Sequence, residues 1–276
     1  MRIIRLGRII LIILTMVVGW FLISKGQKGD NRDFKLGVAA DDGLALISVY
    51  WERRMVNIML VDKDREVWIP EGLGWYKSSK VKKLLLQEDK WETFDKVLFY
   101  NYGFVADRII GLERVSDWDN FRLLIKEMGV TGWIKYKLNS SQMVTKEEKV
   151  DLETSEEALD EIMIRDFSDS SLMTDETRLR VINLTEEDGL AGFIGKNLER
   201  AGISVVGIEN ARGEDVKSCF WLFKEKPGNG LSAEIVRRML GCEESQDKNL
   251  SESEWELYLG ADWARVVKYS SYVRSF

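Results

Sequence analysis

The chain contains no histidine. That removes the commonest general base, the commonest metal ligand and every Ser-His or Cys-His catalytic unit. Cysteine is limited to Cys219 and Cys242. With no further soft ligands in view, two thiols do not make a metal site, and no metal and no cofactor are expected. Proline is scarce, with only two in 276 residues. An excess of positive charge is also missing: 40 Lys and Arg stand against 46 Asp and Glu, for a net charge of −6. A phosphate-binding face leaves a basic imprint, so a nucleic-acid partner is not expected. No stretch carries a self-sufficient catalytic motif, and no catalytic residue is assigned. What the chain does have is a globular composition, 45% hydrophobic and 31% charged. Its length fits one or two domains plus appendages. Ten tryptophans supply large apolar anchors for a core or a binding face.

The amino terminus bears most directly on location. Arg2, Arg5 and Arg8 precede an apolar run from Ile9 to Ile23, interrupted only by Thr15 and Gly19. The run is shorter than the ~20 residues that span a bilayer. Ile3, Ile4 and Leu6 extend it if the arginines snorkel to the interface. The arginines favour a cytoplasmic N-terminus. Ser24-Lys25-Gly26-Gln27 offers no Ala-x-Ala cleavage site. Residues 1–24 therefore read as an uncleaved transmembrane signal anchor that holds the membrane through residues 9–23; a cleaved signal peptide is the alternative. The anchor places the bulk of the chain outside the cytoplasm, in the cell envelope, as a single-pass membrane protein.

Residues 25–33 are polar and read as a juxtamembrane linker. Leu44–Tyr50 and Val56–Val61 flank the polar turn Trp51–Arg54, the pattern of a hairpin or of two adjacent strands. Glu66–Pro70 follows, then a loop at Gly72 and Gly74. Val81–Gln87 predicts a helix, Val97–Tyr102 a buried strand, and Trp118–Met128 an amphipathic helix ended by Gly129. Together they make an α/β domain over residues 34–138. Residues 139–177 read as an acidic connector with one short helix, opened by a capping box of Thr154 with Glu157. Its carboxylates lack the spacing of a calcium loop. From Arg178 the pattern is strand, turn, helix, strand. The helix carries Leu190, Phe193, Ile194 and Leu198 at helical spacing and ends at Ala201-Gly202. A second unit follows: Cys219–Phe223 as strand, Ser232–Leu240 as a helix capped by Ser232, the polar stretch Glu243–Glu254, and Trp255–Leu259 as the last strand. Residues 178–263 thus form a smaller α/β domain of two βαβ units, and residues 264–276 are a tail.

Three constellations invite chemistry. Cys219 lies on a strand and Cys242 just past the helix that follows it, so a disulfide is geometrically reasonable outside the cytoplasm; two buried free thiols are the alternative. Lys77, Lys80, Lys82 and Lys83 offer a surface for an anionic lipid head group, a phosphate or an acidic polymer, or else form the wet face of a helix beside Leu84, Leu85 and Leu86. The turn Thr185–Gly189 stands before a helix N-terminus, but three carboxylates occupy it. They would repel a phosphate and complement the helix dipole instead. Trp68, Trp75, Trp91, Trp118 and Trp133 are core anchors or, in one or two cases, platforms for sugar rings.

The stretch from Val181 to Ala211 resembles the start of the LytR C-terminal domain family, found on extracytoplasmic proteins of bacterial envelopes. Asn183, Gly189, Leu190, Ala191, Gly202, Val205, Val206, Asn210 and Ala211 carry the likeness. Ala233 with Leu240-Gly241, and Leu259-Gly260-Ala261-Asp262, continue it. Residues 34–138 more weakly resemble a degenerate LytR–CpsA–Psr domain, through Asp41-Asp42, the two apolar runs after it, Trp68-Ile69-Pro70 and WDNFRLLIKEMG. That family moves glycopolymers from a polyprenyl-pyrophosphate carrier to the cell wall. Where its enzymes have Arg-Asp after Ile-Pro, this chain has Glu71-Gly72. The resemblance therefore implies an envelope protein that has lost the chemistry and binds wall glycopolymer or partner proteins. The alternative is a glycopolymer phosphotransferase that uses Asp41 or Asp42 for a metal and lysines for the pyrophosphate.

Overall fold

The computed structural model describes residues 33–50, 53–112, 144–173, 177–211, 216–224, 230–250 and 254–263. The expected anchor at 1–24, the linker to residue 32, the helix at Trp118–Met128, Trp133 and the tail at 264–276 lie outside these residues. Among the described residues no helix is long and apolar enough to cross a membrane. The described chain is a mixed α/β fold built on two five-stranded sheets and a small hairpin.

The first sheet starts with β1 (Phe34–Ala40), β2 (Gly43–Tyr50) and β3 (Met55–Val61). They run antiparallel, with Ala40 opposite Gly43 and Tyr50 opposite Met55. The apolar runs on either side of the polar turn are thus a hairpin, as the pattern predicts. β6 (Arg108–Gly111) pairs in parallel with β1, and β7 (Val144–Val150) in parallel with β3. The acidic stretch that reads as connector therefore contains an edge strand. A strand with only one neighbour tolerates charge on its open side, which is why Lys146–Lys149 looks like linker.

β2 is buried at every position and shows no alternation, because both faces are covered. Leu44 and Leu46 join Ala39, Met59 and Val61 on one face. There they meet α1 (Ser78–Gln87), α2 (Thr93–Tyr102) and α3 (Glu156–Asp166). Ala45, Ile47 and Val49 join Leu36, Val38, Val56 and Ile58 on the other. Each large apolar side chain fully buried this way contributes about 1.5–3 kcal/mol.

α2 corrects an expectation. Val97–Tyr102 is the second half of a helix, not a strand, and Gly103 closes it at φ 65°. Phe94, Val97, Leu98 and Tyr102 pack toward the first sheet, whereas Phe99 and Tyr100 pack into the core of the second. A helix buried on both sides has no polar face, so its periodicity cannot be told from that of a buried strand. The cap of α3 also moves by one residue. Ser155, not Thr154, is the N-cap, and its Oγ accepts from the Ala158 N–H at 3.3 Å.

The second sheet holds β8 (Arg178–Asn183), β9 (Ser204–Asn210), β10 (Phe220–Phe223), β11 (Glu243–Gln246) and β12 (Glu254–Leu259), in the order β11-β10-β12-β8-β9. The first βαβ unit is as expected. β8 leads into α5 (Leu190–Ala201) and on to the parallel β9, and Gly202 ends the helix at φ 110°. A short helix, α4 (Ser170–Met173), precedes it. The second unit differs. β10 returns through its helix to the parallel β11, which the polar stretch conceals, and β12 inserts between β10 and β8, antiparallel to β10. The helix α6 (Leu231–Ile235) starts after Gly230, so Ser232 lies in its first turn rather than capping it. It continues as a π-helical turn over Val236–Leu240, closed by Gly241. β11 is short and exposed at all four residues, so no hydrophobic signal marks it.

Candidate functional site

The lysines singled out in the sequence separate. Lys77 precedes α1 and pairs with Asp64 at 2.7 Å. Hydrogen bonding to Asp64 raises the Lys77 pKa and lowers that of Asp64. Lys82 donates to the Leu112 carbonyl at 2.7 Å and meets Asp41 at 3.1 Å. Lys80, Lys82 and Lys83 line an open depression of about 510 Å3 with Asp41 and the exposed Leu86. Lys77 does not take part in it. Lys82 touches Asp41 just past the far end of β1 from Asp33, about 26 Å away at ~3.3 Å per residue. No group of three or more potential metal-ligating side chains occurs among the described residues.

Glu71 and Gly72 form the tip of the hairpin between β4 (Glu66–Ile69) and β5 (Gly74–Lys77), both at positive φ. Burial tends to raise the Glu71 pKa. A hydrogen bond from Lys96, with the charges of Lys96 and Lys90, outweighs it and holds the carboxylate below its ordinary value. Of the tryptophans, Trp68 is buried, Trp91 stacks on Phe94 at 5.4 Å, and Trp75 is 38% exposed.

A cleft that sequence reasoning missed opens between the β4–β5 hairpin, α2, the start of α3 and α5, with a volume of about 70 Å3. Its floor is built by substitution of a side chain for a strand. The Trp68 backbone N–H donates to Asn101 Oδ1 at 2.8 Å, and Asn101 Nδ2 donates back to the Trp68 carbonyl at 2.8 Å. Gly103 then lets α2 end against α5. A Cβ there would stand 2.3 Å from Arg200 Cβ and 2.6 Å from the Asn197 carbonyl oxygen. Close approach and positive φ both demand glycine at this point.

Arg200, 3% exposed, crosses the junction. It donates from Nε to Asp160 Oδ1 at 2.6 Å, from Nη2 to Glu156 Oε2 at 2.9 Å and from Nη1 to the Asn101 carbonyl at 3.1 Å. Lys196, one turn earlier, sits 3.0 Å from Asp160 and 3.4 Å from Glu156. Arg65 donates to the carbonyls of Asp151 and Thr154 and reaches Glu156 at 3.7 Å. The rim thus offers charged donors and acceptors in close alternation, with the Trp75 ring beside it. Behind the rim, three buried atoms have no hydrogen-bond partner: Trp68 Nε1, Tyr102 OH and Asn197 Oδ1. They are half of the six such side-chain atoms among the described residues, and all three residues line this cleft. Burial pushes the Tyr102 phenol well above its ordinary pKa. The one sequence signal was Asn197 and Arg200, polar residues one turn apart on an otherwise apolar helix face.

The residues that carried the LytR-like resemblance have structural work. Asn183 Oδ1 accepts from Thr185 N–H at 2.9 Å and from its hydroxyl at 2.7 Å, while Nδ2 donates to the Glu187 carbonyl and to Asn210 Oδ1 at 3.1 Å. One side chain therefore closes the acidic turn and ties β8 to β9. Leu190 and Ala191 are core. At Gly260 a Cβ would meet the Ser218 carbonyl oxygen at 2.5 Å, so the last strand closes against the segment before β10 only with glycine there. Cys219 and Cys242 form a disulfide, S–S 2.04 Å and Cα–Cα 4.8 Å. It joins the start of β10 to the residue after the helix, as the strand-and-helix geometry predicts.

Residues 176–263 match the model of the family described as LytR cell envelope-related transcriptional attenuator. No curated protein sequence matches the chain. Among solved structures, the chain is similar to TagU of B. subtilis, at 13% identity over 35% of this chain and 40% of that one, TM-score 0.25. It therefore spans 40% of the length of TagU. It is also similar to the LytR-CPS2A-psr family protein YwtF (TagT) with bound octaprenyl pyrophosphate lipid, at 13% identity over 78% and 94%, TM-score 0.27. A third is TagT bound to LIIa-WTA, at 10% identity over 88% and 92%, TM-score 0.27.

Proposed function

We propose that this chain is a membrane-anchored, extracytoplasmic protein of the cell envelope that binds wall glycopolymer or envelope partner proteins without catalysing transfer. The observation that carries the reading is the LytR cell envelope-related match over residues 176–263. The arginine-flanked apolar run from Ile9 to Ile23 supports the anchor, and the Cys219–Cys242 bridge suits an oxidising compartment. A phosphoryl transfer site needs cationic groups converging on the transferring phosphate. Here Glu71 stands after Ile69-Pro70 and is engaged by Lys90 and Lys96. Lys80 and Lys83 are exposed around an open depression. Both features favour binding over transfer.

The test is co-sedimentation of the detergent-solubilised full chain with purified wall sacculi, alongside carbonate extraction of membranes. Retention on sacculi and resistance to carbonate are expected. Loss of both would leave the chain neither wall-binding nor anchored.

A further inference from the structure

The cleft between α2, α5 and the β4–β5 hairpin has features that packing alone does not account for. Buried polar atoms are nearly always satisfied, and each one left unpaired costs about 1–3 kcal/mol. Half of the unpaired atoms among the described residues gather here, from Trp68, Tyr102 and Asn197. They comprise a donor, an acceptor and a hydroxyl that can act as either. In front of them the rim alternates cations with carboxylates, so it supplies strong donors and acceptors with little net charge. Trp75 adds an aromatic face at the mouth.

A ligand that fits this set is uncharged, carries groups that both donate and accept hydrogen bonds, and has an apolar face. Saccharide rings have all three properties. Their hydroxyls each donate and accept, and their C–H faces lie on aromatic rings. An isolated phosphate suits the cleft less well, because Glu156 and Asp160 already engage Lys196 and Arg200. The volume of about 70 Å3 takes on the order of five water-sized probes. That is comparable with one sugar ring entering from the rim and not with a whole chain.

We propose that this cleft is a saccharide subsite, with Trp75 as the stacking platform and Asn197 as a buried acceptor. The proposal rests on the reading of the chain as a wall-polymer-binding protein and names where one sugar unit of that polymer is held.

The test uses the full chain in detergent micelles. Saccharides released from whole sacculi by a muramidase are labelled with a fluorophore at their reducing ends, and binding is followed by anisotropy. A saturable rise is expected. Trp75→Ala weakens it about tenfold, the scale of a lost aromatic contact, while Trp75→Phe, which keeps an aromatic face, restores most of it. Asn197→Leu is the second variant. If the unpaired oxygen is only a packing defect, replacing it stabilises the fold and leaves binding unchanged; the proposal predicts weaker binding whatever the stability.

Three results overturn the proposal: no saturable rise with the unmodified chain, binding indifferent to both substitutions, or displacement of the saccharides by inorganic phosphate alone. Sedimentation with intact sacculi separates the two levels. Retention of both variants on sacculi, with saccharide binding unmoved, removes the cleft assignment and leaves the wall-binding function. No retention of the unmodified chain removes the function itself.

Discussion

Arg200→Met tests whether the junction between α5, α3 and α2 is held by charge. The guanidinium is 3% exposed and makes hydrogen bonds to Asp160, Glu156 and the Asn101 carbonyl. Removing one partner of a fully buried ion pair costs about 3–5 kcal/mol, because the other charge is left stranded. Here the stranded charges are not fully buried: the side chains of Asp160 and Glu156 are 29% and 45% exposed. Lys196 also stays within 3.0 and 3.4 Å of them. Water and Lys196 therefore take up much of the loss, and an exposed pair is worth only about 0–1 kcal/mol. The Asn101 carbonyl also loses its donor, and a bond left unmade at a buried group costs about 1–3 kcal/mol. Methionine keeps most of the stem's packing.

The expected destabilisation is about 2–3 kcal/mol. In urea this appears as a lower midpoint at unchanged slope, and on heating as a drop of roughly 5–10 °C. The assay is tryptophan emission of the full chain during denaturation. Asp160→Asn and Glu156→Gln complete double-mutant cycles, in which both couplings to Arg200 are positive and Asp160 is the larger because its contacts are shorter. A loss below about 0.5 kcal/mol for Arg200→Met would mean that apolar packing alone holds the junction, and the argument from buried charge fails.

Other outcomes follow from single sites. Asp89 lies just past α1 at φ 53°, where the Lys90 N–H bonds back to the Leu85 carbonyl at 2.8 Å; Asp89→Gly stabilises by about 1 kcal/mol, read as a raised urea midpoint. Replacing both Cys219 and Cys242 with serine frees a loop closed across 23 residues and costs about 3 kcal/mol on the chain-entropy account, measured by the same denaturation. Burial tends to raise the Asp166 pKa, but hydrogen bonds from Arg165 and Lys146 outweigh it and hold the carboxylate below 3.8. Its contribution is then complete above pH 3.8 and is lost as pH falls through the lower folded value. Asp166→Asn therefore lowers stability at neutral pH and flattens the acid limb of the stability profile. Asp95 is shifted the other way, raised mainly by burial, so Asp95→Asn removes a contribution that declines as pH rises through the folded value.

Some of this protein is written locally and some is not. The β2–β3 hairpin, α5 with its Gly202 stop, and β12 follow from runs of apolar residues and the punctuation around them. The LytR-like segment was legible because Asn183, Gly189, Gly202 and Gly260 meet backbone needs that few other residues satisfy, and such needs leave a fixed spacing in the chain. The disulfide was legible for a related reason, since a strand and its returning helix bring Cys219 and Cys242 together.

The identity of α2, the edge strands β7 and β11, and the place of β12 between β10 and β8 were decided by tertiary contacts. A helix buried on both sides loses its amphipathic mark, and an exposed edge strand never acquires one. Apart from Asn197 and Arg200 on the apolar face of α5, the cleft belongs to the tertiary level. Arg65, Glu156, Lys196 and Arg200 come from a turn and two helices far apart in sequence, and each of the first three alone reads as a surface charge. Only when Gly103 lets α2 end against α5 do they meet around Trp68, Tyr102 and Asn197, because the energy of a charge or an unpaired polar atom depends on what the fold places beside it.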